Sequence, residues 1–406
     1  MKILLATYWP LPHMGGIWTF VNELKRGLKR FDIDADIFSA SPDHTMYYLH
    51  HSTDHIKKTS LYPFLDAQFQ RGASLINHPV VARAELEQYC FELSAVYTGL
   101  KKYDVIHAQD AIASRALSRV KPKKTPLLTS LHGSLSGEIL YHIKSFNPEA
   151  LEHEIKQNLL YHYHRAIEKE AYKNSDMIHT SSQWLMKKVM YDLNGKSNSL
   201  SYIPYGFDYQ NFSLSSQTSN AGIPEKPKGK KVLLFTGRLV YLKGIHSLML
   251  ALAKVKDIRD DWECWIIGDG DQRSACESQV KKLGLTGKIR FLGQQTNVYP
   301  YLKLSDMFIF PSLQDNQPFS IIEAQYSGLP VIVSDSAGLP EMVKHEKNGL
   351  IFKAGDYREL SMNIMRLLQD NSLLCKLSKN ASKYAHAQWN IQAMSKQLFK
   401  LYQKLI

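Results

Sequence analysis

A chain of 406 residues is long enough for two or three domains, and for a core that needs neither disulfides nor a structural metal. Its 44% hydrophobic, 22% charged and 11% aromatic composition is that of a globular protein and excludes the disordered and fibrous classes. The net charge of +12 is scattered, with no basic run longer than stretches such as Lys228-Gly229-Lys230-Lys231, so no nucleic-acid partner is expected, whereas an anionic small molecule or peripheral contact with an acidic membrane surface fits.

The apolar start, Ile3 to Ala6, reads as a buried strand, because Thr7, Trp9 and Pro10 cut the run before it can act as a leader. No stretch approaches the ~18 apolar residues of a membrane span. Ile17, Phe20, Val21, Leu24 and Leu28 then recur at helical spacing and predict an amphipathic helix. Further strands are expected at Ala35 to Ser39, Val105 to Ala108, Leu127 to Leu131 and Met177 to Thr180. Residues 41–84 show no clear period and are expected to form an irregular insertion. Ser213 to Lys231, rich in Ser, Pro, Gly and Lys, reads as a surface loop between two halves.

In the second half, apolar runs beginning near Val232, Trp262, Ile289, Met307, Val331 and Leu350 alternate with helix-like stretches at Ile245 to Val255, Asp271 to Leu283 and Ile321 to Tyr326. Continuous apolar strands separated by helices imply a parallel sheet covered on both faces. From about Ser372 the chain is expected to be helical to its end, with an apolar stripe of Trp389, Ala393, Leu398, Leu401, Tyr402 and Leu405. The fold class is α/β, two Rossmann-like doubly wound domains joined near residue 205. Cys90, Cys264, Cys276 and Cys375 are far apart without a CxxC pair, which argues against a disulfide framework or a four-cysteine zinc site and for a reducing cytosol.

Several short motifs lie where strands meet helices. Gly15-Gly16 separates the first strand from the first helix, where glycine permits close backbone approach and a helix start attracts anions; a plain turn is the competing reading. Thr236-Gly237-Arg238 ends a strand and Lys243-Gly244 opens the next helix, a placement of two cations that suits a diphosphate as well as a solvated loop. Pro311 to Ser320 follows another strand and precedes a helix containing Glu323, whose carboxylate suits sugar or ribose hydroxyls or simply the helix start. His44, His50, His51 and His55 match no familiar metal spacing, so no metal is expected there. His107 ends a strand, where a satisfied buried histidine competes with a catalytic one. The run Tyr161 to Arg165 is expected on an exposed helix face.

Together these segments resemble the retaining glycosyltransferases of family 4, with the two-domain fold called GT-B. The resemblance covers nearly the whole chain. It rests on FTGRLVYLKGIHSL, IIGDGDQR, RFLG, SDMFIFPSLQDNQPFSIIEAQYSGLPVIVSDSAGLPEMV and NGLIF in the second half, and on Gly15-Gly16, DVIHAQD, TSLHG and IPYGFD in the first. The combination is specific for the family and poorly specific for the sugar. It implies an acceptor-side domain over residues 1–205, a donor-side domain over 206–385 facing it across a cleft, and a terminal helix, 386–406, crossing back to the first. It implies transfer from a nucleotide diphosphate sugar, UDP being the common case, to a glycan, lipid-linked or small-molecule acceptor, with retention and without metal or other cofactor, in the cytoplasm or at the inner face of the membrane.

The resemblance assigns Arg238 and Lys243 to the diphosphate, Glu323 to the ribose, Gly16 to close approach to the phosphates and His132 to the donor-sugar pocket. Asp315 stands where the first acid of the family's E-x7-E motif is usually Glu, and Pro318 lies in a loop whose amides normally meet the donor. Proline has no N–H, so Phe319 and Ser320 must supply those contacts. A GT-B epimerase or phosphorylase, and a non-catalytic nucleotide-sugar-binding protein, are the alternatives.

Overall fold

The computed structural model describes the chain except residues 14, 51, 53–54, 73–77, 195–198 and 215–222. It forms two compact units. One comprises Met1–Leu140, Glu149–Tyr205 and Ile391–Ile406; the other comprises Tyr141–Pro148 and Gly206–Asn390.

The first unit is built on β1 (Lys2–Pro10), β2 (Asp34–Ala40), β3 (Met46–Leu49), β4 (His55–Lys57), β5 (Val105–Ala108), β6 (Leu127–Leu131), β7 (Met177–Thr180) and β8 (Leu200–Tyr202). They form one sheet in the order β4-β3-β2-β1-β5-β6-β7-β8. β3 pairs antiparallel with both β2 and β4, and the remaining ladders are parallel. β5, β6 and β7 are buried along their whole length, as strands covered on both faces must be.

Residues 41–84 are more regular than the sequence suggested. They hold β3, β4, a helix Lys58–Gly72 that contains Pro63, and the start of helix Pro79–Tyr97. The second helix lacks a hydrophobic period because its buried face includes Glu85, Gln88 and Glu92. Arg115 bonds Glu85 and Gln88, each at 2.7 Å, Tyr163 donates to Glu85 at 2.7 Å, and Arg119 pairs with Glu92. Burial of these acids is sustained by partners remote in sequence. The same network corrects the reading of Tyr161 to Arg165 as an exposed face, since Tyr163 joins Glu85 and Arg165 pairs with Asp192.

The second unit is built on β9 (Lys231–Thr236), β10 (Trp262–Ile267), β11 (Ile289–Phe291), β12 (Met307–Phe310), β13 (Val331–Ser334) and β14 (Gly349–Phe352), ordered β11-β10-β9-β12-β13-β14 and wholly parallel. β10, with Trp262 and Trp265, is completely buried. Part of the expected Ser213 to Lys231 loop, residues 215–222, lies outside the described residues.

The chain is not one helix from Ser372 onward. Helix Asn371–Gln388 ends at Trp389 and Asn390, and helix Ile391–Leu405 follows. The expected limit at residues 385/386 therefore falls inside a helix, and the change of unit comes after Asn390. Trp389 is buried within the second unit, so it is not part of the stripe of the last helix. That helix belongs to the first unit, where Phe399 stacks on Phe31 with centroids 4.7 Å apart and Tyr402 bonds His107.

Candidate functional site

In the second sheet the connections run outward from β9 to β10 and β11 on one side, and from β12 to β13 and β14 on the other. β9 and β12 thus flank the topological switch, the place at the strands' carboxyl ends where open α/β sheets bind their ligands. The loop after β9 carries Arg238, then a short 3-10 turn, Tyr241–Lys243, and Gly244 before helix Ile245–Lys256. The loop after β12 runs from Pro311 to Pro318, and helix Phe319–Tyr326 follows.

The two loops are locked backbone to backbone. Leu313 N–H donates to Leu242 O at 2.8 Å, and Ser312 Oγ to the same carbonyl at 3.1 Å. Gly244 has φ +66, and a Cβ there would stand 2.0 Å from Pro311 O, so only glycine fits. The loop after β13 braces the arrangement: Ser334 Oγ donates to Ser312 O at 2.5 Å and Gly338 N–H to Asp315 O at 2.9 Å.

On this frame the Lys243 ammonium is bonded to the Asp315 carboxylate, with the two side chains 13% and 16% exposed. Lys243 Nζ also lies 5.3 Å from the centre of the Phe310 ring. The sequence suggested separate duties for these residues; the fold joins them in one ion pair. Arg238 is exposed and has no hydrogen bond or ion pair among the described residues, which leaves its guanidinium available to an anion.

Pro318 occupies the position before helix Phe319–Tyr326 in an extended conformation, and the Ile321 N–H turns back to its carbonyl at 3.2 Å. The amides of Phe319 and Ser320 open the helix, as Pro318 requires, and the positive end of the helix dipole lies there. Phe319 is buried, Ser320 half-buried, and Glu323 lies half-buried one turn further on.

After β10, Asp269-Gly270-Asp271 has a spacing that suits a divalent cation. The Asp269 carboxylate instead accepts from Gly270 N–H at 2.8 Å and Arg273 at 3.0 Å, which lowers its pKa. Among the described residues no group of His, Cys, Asp and Glu is placed to hold a metal ion; His51 lies outside them.

In the first unit the switch lies between β1 and β5. Gly16 opens helix Gly16–Leu28 there, after an extended Gly15 that supplies no side-chain cap, and the first turn holds no acidic residue. Asp110, at the end of β5, fixes this edge by accepting from Thr7 Oγ1 at 2.8 Å, Tyr8 N–H at 2.9 Å and Ala113 N–H at 2.7 Å. Burial raises its pKa while these hydrogen bonds oppose the rise.

His132 follows β6. Its Nδ1 is bonded to the Tyr205 hydroxyl, and its Nε2 faces Gln109 Oε1 at 3.2 Å. The Gln109 amide is oriented by its own Nε2–H donating to His107 O at 3.1 Å, so His132 carries its proton on Nε2 and accepts from Tyr205 at Nδ1. Burial, then the nearby His179, lowers its pKa to about 3. His132 is therefore a neutral, oriented ring rather than an acid or base at neutral pH. Gln109 and Tyr205 escaped the sequence reading, although both lie in the quoted segments DVIHAQD and IPYGFD.

His107 is not at an open edge. It is fully buried, with Nδ1 to Tyr402 Oη and Nε2 to Ser130 Oγ, each 2.7 Å. It is a satisfied core histidine.

Two family profiles match the chain: Glycosyltransferase Family 4 over residues 14–211, and Glycosyl transferases group 1 over residues 216–386. An uncharacterized glycosyltransferase of Methanocaldococcus jannaschii is 26% identical over 99% of this chain and 98% of its own. A Campylobacter jejuni enzyme, N,N'-diacetylbacillosaminyl-diphospho-undecaprenol alpha-1,3-N-acetylgalactosaminyltransferase, is 28% identical over 46% of this chain and 47% of its own. Among solved structures, sucrose-phosphate synthase from Thermosynechococcus elongatus superposes with TM-score 0.74 at 20% identity, covering 100% of this chain and 98% of that one. Anabaena HepE in complex with UDP-glucose does so with TM-score 0.69 at 20% identity over the whole of both chains. Paired parallel sheets, each with its loops gathered at a switch point, are the GT-B arrangement, and with profiles matching on both sides of residue 211 this chain belongs to the family 4 glycosyltransferases.

Proposed function

We propose that the protein is a retaining hexosyltransferase that moves a sugar from a UDP-linked donor to a glycan, lipid-linked or small-molecule acceptor. The observation that carries this reading is the convergence of Lys243, Asp315 and the start of helix Phe319–Tyr326 at the switch of the second sheet. Arg238 and Lys243 hold the diphosphate and offset the charge that grows as it departs. The amides of Phe319 and Ser320 add the helix dipole to the same task. Glu323 accepts hydrogen bonds from the ribose hydroxyls and Asp315 from those of the donor sugar.

The acceptor oxygen bonds to the anomeric carbon on the face from which the diphosphate leaves, and its proton passes to a diphosphate oxygen. No side chain acts as a covalent nucleophile. Two fixed cations supply the charge that a metal ion would otherwise provide. HepE was solved with UDP and UDP-glucose, which supports a UDP donor, and the Campylobacter relative's name describes a lipid diphosphate substrate, which supports a lipid-linked acceptor at the cytoplasmic membrane face. The test is twofold. Thermal shift with UDP, GDP, ADP, CDP and dTDP should single out UDP. Proton NMR of the product formed from a UDP-α-sugar should show an α linkage, and a β product overturns the retaining assignment.

A further inference from the structure

The chain leaves the second unit after Asn390, and the residue before it, Trp389, is 4% exposed and bonded through both its ring and its backbone. Trp389 Nε1–H donates to Gln325 Oε1 at 2.8 Å, and the Gln325 Nε2–H group donates to Met342 O at 2.9 Å. The Trp389 carbonyl accepts from Tyr326 Oη at 2.9 Å and from Phe207 N–H at 3.0 Å. Tyr209 stacks on Tyr326 with centroids 4.9 Å apart and the rings 8° from parallel.

Gln325, Tyr326 and Met342 lie at the far ends of elements that serve the site. Gln325 and Tyr326 end the helix that opens with Phe319 and Ser320 and carries Glu323. Met342 ends helix Leu339–Met342, which begins beside Gly338, the donor to Asp315 O. One tryptophan thus grips both helices, while their other ends carry the amides and the anchor of the Lys243–Asp315 loop. Gln325 is fully buried, so without the indole N–H its carbonyl oxygen would lose the partner seen here and desolvation would favour a new position for the amide.

We propose that Trp389 is a positioning residue of the nucleotide-sugar site, setting its affinity from the point where the chain exits the unit; this rests on the reading of that site given above. A helix of 8 residues is only about 12 Å long, so a displacement at its last turn is carried to its first. Hydrogen bonds tolerate shifts of only a few tenths of an ångström, so a small tilt at Phe319, Ser320 and Glu323 weakens ligand contacts.

Trp389→Phe keeps an aromatic ring and removes the N–H, and Tyr326→Phe removes one hydroxyl. Calorimetric titration with UDP, run well below the melting temperature of each variant, should give a Kd raised at least 5-fold in both. A purely space-filling role lowers the melting temperature and leaves the Kd within 2-fold of wild type, and that result overturns the inference. If Trp389→Phe fails to fold, Tyr326→Phe decides alone by the same thresholds. Wild-type protein that binds no nucleoside diphosphate overturns the reading of the site and this inference with it, a result distinct from equal binding by wild type and variants.

Discussion

Lys243 and Asp315, 72 residues apart, form an ion pair across the switch between β9 and β12. If Lys243 is to meet a diphosphate and Asp315 the sugar hydroxyls, a bound donor must exchange partners with this pair. The Asp315 carboxylate then acts as a placeholder, keeping the buried side of the ammonium satisfied until the donor arrives.

Asp315→Ala should accordingly lower kcat/KM by at least two orders of magnitude while UDP binds as well as, or better than, in wild type, because Lys243 is freed. Asp315→Asn should also be damaging, since the amide loses the charge and one acceptor oxygen. Steady-state kinetics beside calorimetry separates this from a helix-capping role, which would cost about 1 kcal/mol of stability and little turnover.

Lys243→Ala and Glu323→Ala should each weaken UDP and the intact donor together, by tenfold or more, as expected of diphosphate and ribose contacts. Equal UDP affinity in either variant, measured by calorimetry, removes that residue from the site.

If Arg238 and Lys243 carry the charge stabilisation, as proposed, transfer should survive EDTA. Complete loss of activity with EDTA, restored by Mn²⁺ or Mg²⁺, would refute the assignment of these two cations.

Removal of Ile391–Ile406 should destabilise the protein, not merely trim it. Met394, Leu398 and Tyr402 are buried on that helix, and at roughly 1.5–3 kcal/mol for each large apolar side chain the loss is on the order of 5 kcal/mol. A Cβ on Gly27 would stand 1.9 Å from Ser395 Oγ, so Gly27→Leu should lower the melting temperature in the same direction. Calorimetric melting of the truncated chain and of the Gly27→Leu variant checks both, and unchanged transitions would count against the helix as a structural part of its unit.

Stability should fall as the pH drops below about 6.5. Tyr402 Oη donates to His107 Nδ1, His107 Nε2–H to Ser130 Oγ, Ser130 Oγ–H to His179 Nδ1, and His179 Nε2–H to Ile203 O, a chain that needs both imidazoles neutral. Burial lowers the pKa of His179 to about 4 and that of His107 well below its ordinary value. The unfolded chain therefore binds protons that the folded one refuses between about pH 4 and 6.5, and each such histidine lowers stability by up to ~1.4 kcal/mol per pH unit across that window. Urea unfolding at pH 7.5, 6 and 5 should show a plateau followed by a decline, whereas constant stability to pH 5 would mean that the histidines are accommodated charged.

The parallel strands were legible because complete burial writes them as continuous apolar runs; β5, β10 and β12 need no partner to be recognised. The loop motifs were legible because positions such as Gly244 accept only one residue type. Helix Pro79–Tyr97 was not, since acids and an amide on its buried face are satisfied by Arg115, Arg119 and Tyr163, which local periodicity cannot foresee. For the same reason the tertiary structure alone decided that Lys243 holds Asp315, that Gln109 and Tyr205 orient His132, and that Trp389 serves the second unit. Propensity and hydrophobic pattern act over a few residues, and a hydrogen bond or ion pair between distant residues exists only once the sheet order has brought their strand ends together.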